Sequence, residues 1–179
     1  MASIKLLAAS ILLAAGLAVA PSAWSQGSAT LSLTGKLVDA TTFSVEQLRQ
    51  LPQTEIAELR EVERHEGERD RSRKPHRIVY RGVLLRDVID ASGFKENQRH
   101  DFRRTLFVAK ASDGYLGVFS WGELFNSDEG KQVLVIIDAD GKPLPASEGP
   151  IALRSLSDLR PGPRHIRWLQ EVSVIEVEK

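Results

Sequence analysis

The chain has 179 residues, balances 24 Lys+Arg against 24 Asp+Glu for a formal net charge of +0, and is 42% hydrophobic, enough to bury a core. With 13 Gly and 8 Pro it is neither collagen-like nor low-complexity, and its ordinary apolar content excludes a wholly disordered chain. Zero net charge removes the electrostatic case for a nucleic-acid binder, which needs a basic face to replace counterions. Zero Cys excludes a disulfide framework, a thiol nucleophile, and any metal or cofactor that needs a protein thiolate.

The first elements read as an address. Lys5 is followed by the apolar run Leu6–Ala20, broken only by Ser10 and Gly16, and then by a small-residue segment. The run is shorter than the roughly 20 residues needed to span hydrocarbon, so residues 1–25 read as a signal peptide. Ala23 and Ser25 satisfy the small-residue rule for cleavage before Gln26. No later stretch is long and apolar enough for a membrane helix, so a soluble periplasmic or secreted domain, residues 26–179, is expected. With no twin-arginine pair, export should follow the general route that threads unfolded chains. A cofactor inserted in the cytoplasm would not survive that passage.

Ala29–Ala40 alternates Leu31, Leu33 and Leu37 with polar residues and predicts a strand with a bulge near Gly35. Ser44 opens a short helix that ends before Pro52, with Gln47 placed to complete a capping box. Thr54–Val62 favours strand. From Glu58 to Arg77, 13 of 20 residues are charged, six acidic and seven basic, so this insertion cannot build a core and reads as a solvated hairpin tip or loop. A sharper reading makes it a docking or metal-capturing loop.

Arg77–Tyr80 predicts a strand, Gly82 a turn, and Leu84, Leu85, Val88 and Ile89 an amphipathic helix stopped at Gly93. Strands follow at Thr105–Lys110 and Tyr115–Phe119, joined by the turn Ser112-Asp113-Gly114. Ser120 caps a short helix through Phe125, with Glu123 as its capping-box partner. Val133–Asp138 is a continuous apolar run suited to a buried central strand, and Asp138-Ala139-Asp140-Gly141 a tight hairpin turn. Ile151–Leu156 predicts a strand, Arg164–Leu169 one helical turn and Val172–Val177 a closing strand. The fold class is α+β, a mixed, mostly-β sheet core with short helices.

The ordered series Tyr80-Arg81-Gly82-Val83-Leu84-Leu85-Arg86-Asp87, Asp113-Gly114-Tyr115, Asp140-Gly141-Lys142-Pro143-Leu144-Pro145, Gly149-Pro150-Ile151-Ala152-Leu153-Arg154 and Ile166-Arg167-Trp168-Leu169 resembles the sulfite-oxidase-like molybdopterin-binding domain. The resemblance spans residues 28–177 and implies that domain's fold, with Trp168 giving a large buried face beside the closing strand. In catalytic members, molybdenum is held by the pterin dithiolene and by a cysteine thiolate from the loop after the second strand. That loop here is the charged Glu58–His76 stretch, and Glu61, Glu63 or His65 cannot replace a soft thiolate without changing the metal centre. The expectation is therefore a small exported relative that keeps the scaffold without the metal-ligating cysteine.

Arg154, Arg160, Arg164, His165 and Arg167 fall within 14 residues near Gly149 and Gly162, and arginine forks suit phosphate, sulfate or carboxylate. Relatives use Arg and His on the cofactor's phosphate end, so the resemblance implies the same class of contact. The alternative is that Arg160 and Arg167 are solvated and His165 is a cap or a core hydrogen-bonding group. Asp113 and Tyr115 are candidate pocket walls, against readings of Asp113 as a turn former and Tyr115 as core. Arg99, His100, Arg103 and Arg104 form a second basic cluster, solvated or docking an acidic partner.

His65, His76, His100 and His165 show no metal-ligand spacing, and no nucleophile triad or elbow stands out, so neither metal ligands nor catalytic residues are assigned. The reading is a non-catalytic binding or accessory module, with no cofactor, that holds a small anionic ligand or a periplasmic partner protein. The charged 58–77 segment is a possible docking element. The alternative is a molybdenum-cofactor oxidoreductase, or a subunit of one, lacking a cysteine ligand.

Overall fold

The computed structural model describes residues 30–36, 40–60, 76–94, 101–160 and 162–178, with Arg60 described through its backbone only. The expected leader, residues 61–75 of the charged stretch, and Arg99 and His100 lie outside the described residues.

Two sheets pack face to face. The first is ordered β2(Thr41–Ser44), β1(Thr30–Gly35), β11(Leu169–Glu176), β5(Thr105–Ala111), β6(Leu116–Ser120). β1 and β11 run parallel, so the first and last strands are neighbours at the centre of this sheet, and its other pairs are antiparallel. The second sheet is antiparallel and ordered β10(His165–Ile166), β9(Ala152–Ser155), β7(Val133–Ala139), β4(His76–Leu84), β3(Thr54–Arg60), with β8(Lys142–Pro143) appended to β7. This is the mostly-β α+β class the sequence predicts.

Period-two alternation explains which side chains enter the core. In β1, Leu31 and Leu33 are fully buried against the second sheet, while Thr34 on the other face bonds Glu171 and Ser173. From Val133 to Ile137 β7 is apolar without alternation because both its faces are covered. Val133, Val135 and Ile137 join the core between the sheets, and Leu134 and Ile136 join a smaller cluster with Tyr80 and Leu84 on the outer face of the second sheet. Each fully buried Leu or Phe contributes about 1.5–3 kcal/mol.

Three short helices close the rims. α1(Val45–Leu48) and α3(Trp121–Phe125) start on the two capping boxes expected, Ser44 with Gln47 and Ser120 with Glu123. α2(Leu85–Ala91) buries Leu85, Val88 and Ile89. Among the described residues, no helix is long and apolar enough to cross a membrane.

Several local expectations are corrected by tertiary pairing. Gly82 does not turn the chain; β4 runs through it, because a Cβ there would lie 1.9 Å from the Val135 carbonyl oxygen at a register shift against β7. Gly35 ends β1 at φ +85 instead of bulging within it. Arg164–Leu169 is not helical, since His165 and Ile166 pair with β9 and Trp168 turns the chain at φ 48. Trp168 is half-buried, and Tyr115 is exposed rather than part of the core. In the hairpin into β8 the turn residues are Asp140 and Gly141, both at positive φ as a type I′ turn requires. Asp138 lies inside β7, buried, and accepts both forks of Arg49 at 2.6 and 2.7 Å.

Candidate functional site

β9 lies between β7 and β10, and this position sorts the basic residues. Arg154 is registered with Leu134 on one side and His165 on the other, while Leu153 is registered with Ile166. Leu153 and Ile166 face the core, so Arg154 and His165 share the opposite face. There Arg154 is 3% exposed. Its Nη1 donates to the Tyr80 hydroxyl at 3.1 Å and its Nη2 to Glu58 Oε1 at 2.6 Å, with the guanidinium 5.6 Å above the Tyr80 ring centre. A buried guanidinium needs a counter-charge, and Glu58 supplies it. Among the described residues, Arg154 Nε has no partner.

Arg164 faces the other way. Its Nε and Nη2 grip both oxygens of Asp158, the first at 2.8 Å, its Nη1 pairs with Glu123 at the start of α3, and its guanidinium lies 5.1 Å over the Phe119 ring. Burial works to raise the Asp158 carboxyl, but hydrogen bonds from Arg164 and Ser155 outweigh it and hold that carboxyl below its ordinary range. The Asp158 hydrogen bond in turn raises the Arg164 guanidinium, which stays charged. Beside this pair opens a polar cleft of about 570 Å³ whose lining includes Ser120, Glu123, Ser127, Glu129, Asp158 and Arg164. Three carboxylates against one guanidinium make it acidic.

The remaining candidates separate further. His165 Nε2 lies 2.6 Å from Glu148 Oε2, and the half-exposed Arg167 approaches Glu148 Oε1 at 3.6 Å. Arg160 is exposed. Asp113 is a turn former whose Oδ1 accepts from the Tyr115 amide, while the Tyr115 hydroxyl donates to the Pro163 carbonyl. In the second basic cluster, Arg103 and Arg104 both bind Asp101, and Arg104 also binds Glu176. The five clustered residues thus form three nodes and a solvated arginine, not one pocket.

Sequence reasoning missed the carboxylates: Glu58 holds Arg154, Glu123 and Asp158 share Arg164, and Glu148 takes His165 and Arg167. Glu123 carried a local signal only as a helix cap. Glu58 belongs by sequence to the charged stretch, but its side chain lies on the outer face of the second sheet, where it bonds Arg154.

The family described as the oxidoreductase molybdopterin binding domain matches residues 18–179. The chain belongs to that family. The crystal structure of the sulfane dehydrogenase SoxCD from Paracoccus pantotrophus matches this molybdopterin binding domain with a TM-score of 0.62 at 17% identity, covering 84% of this chain and 39% of that one. That likeness shows the fold, and the present chain spans well under half the length of its structural relative. No curated protein matches the sequence.

A molybdopterin-type group needs a metal donor as well as a cradle. This molybdopterin binding domain contains no cysteine, and among the described residues no group of three or more His, Cys, Asp or Glu side chains can hold a metal. Four of the five basic candidates already face carboxylates. The residues present therefore do not fit a thiolate-ligated molybdenum centre.

Proposed function

We propose that this chain is an exported, non-catalytic binding or accessory module on the molybdopterin-domain scaffold, and that it holds a small anionic ligand or a partner protein. The observation that carries this reading is family membership without a single cysteine. The fold is retained while the soft donor that ligates molybdenum in catalytic members is gone, and fold alone does not confer function. Export through the general secretory route, the role assigned to residues 1–25, agrees with a protein that carries no preloaded cofactor.

Family membership also supports a second reading, an oxidoreductase or oxidoreductase subunit binding a molybdenum cofactor without a protein thiolate. Pterin fluorescence after oxidation of protein purified from its own host separates the two. The binding-module reading predicts no pterin signal, and a stoichiometric signal favours the oxidoreductase.

A further inference from the structure

Among the arginines that meet carboxylates, Arg49, Arg164 and Arg154 do so differently. Arg49 presents Nη1 and Nη2 to the two oxygens of Asp138. Arg164 presents its Nε/Nη2 edge to the two oxygens of Asp158. Both forks are full. Arg154 presents the same Nε/Nη2 edge with only half of it used: Glu58 takes Nη2 through one oxygen, and Nε is buried with no partner among the described residues. A buried donor left unpaired is costly, and a planar guanidinium edge is matched by two oxygens of one anion.

We propose that the Nε/Nη2 edge of Arg154 is the seat of a compact oxyanion, and that Glu58 is a resident carboxylate that such an anion displaces. This rests on the reading of the chain as an anion-binding module and names the donor. Three placements support it. Arg154 sits on β9, a strand paired on both sides, its other fork anchored by the Tyr80 hydroxyl, so the edge is held in place while its occupant changes. Glu58 sits on β3, the edge strand of that sheet, two residues from the last registered pair, Arg60 with His76, so its retreat disturbs no interior ladder. Arg154 is nearly fully buried, over the Tyr80 ring and registered beside Leu134 of the outer-face cluster, so competing water is scarce at the guanidinium. An incoming carboxylate or phosphate takes both donors and releases Glu58 toward solvent.

The test uses the exported chain in three forms: wild type, Glu58→Gln, and Glu58→Gln with Arg154→Lys, which keeps the charge and loses the planar edge. Melting temperature is followed against increasing acetate and, separately, inorganic phosphate, with chloride holding ionic strength constant. The proposal predicts that Glu58→Gln is stabilised by anion with an apparent affinity about tenfold or more above wild type, the worth of one charge-assisted hydrogen bond. The Arg154→Lys double variant should lose that response, and the relative response to the two anions distinguishes a carboxylate from a phosphoryl ligand. If Glu58→Gln does not fold alone, saturating anion should restore its near-ultraviolet dichroism. Equal responses in the single and double variants, no anion response in Glu58→Gln, or failure of anion to restore fold overturns the proposal. Molybdenum in the native protein would defeat the binding-module reading without altering this comparison.

Discussion

The side chains that decide this molecule's behaviour are charged groups removed from water in pairs. Arg49 and Asp138 tie the end of α1 to β7, and the hydrogen bond from Arg49 holds the Asp138 carboxyl below its ordinary range. A carboxyl depressed in the folded state contributes stability above the ordinary aspartate value of 3.8, and that contribution is lost as pH falls through its folded value. Urea melts of wild type and Asp138→Asn should therefore differ most near neutrality and converge in acid. The neutral gap should be about 1–3 kcal/mol, toward the low end because Arg49 is partly exposed. A gap that widens in acid contradicts this assignment. The same contrast separates the arginines of the cluster. Arg164→Gln breaks contacts to α3 and to Asp158 and should cost about 1–3 kcal/mol, whereas Arg160→Gln on the exposed loop should stay within about 0.5 kcal/mol. Equal effects in chemical denaturation would show that the two share one environment.

Among elements, β4 shows what local pattern reveals and what it hides. Its last residues and α2 were legible because a strand leading into helically spaced Leu85, Val88 and Ile89 is a local signal. Both capping boxes and the Asp140-Gly141 turn were legible for the same reason, since their partners lie within a few residues. Gly82 was misread as a turn because its requirement comes from Val135, a strand neighbour far along the chain. Gly82→Ala should accordingly cost more than about 3 kcal/mol, or prevent folding, as a Cβ meeting backbone cannot be relieved by a rotamer change. A thermal melt within a degree or two of wild type would refute that contact. The Arg164–Leu169 segment was misread likewise: its helix-like spacing is overridden by pairing of β10 with β9.

At the scale of the whole molecule, the fold class and the family were readable while the site was not. The ordered motifs led to the molybdopterin-binding scaffold, which the family match and the SoxCD likeness bear out. The basic cluster looked like one pocket because sequence proximity hides the alternation of β9 and β10, which sends Arg154 and Arg164 to opposite faces. The partner that neutralises Arg154 lies 96 residues away in the chain, where no spacing rule connects them. On the proposed reading, this scaffold has left thiolate-ligated molybdenum chemistry, and elemental analysis of the protein purified from its own host decides it. Molybdenum far below one atom per chain is expected, and a ratio near one would contradict that reading.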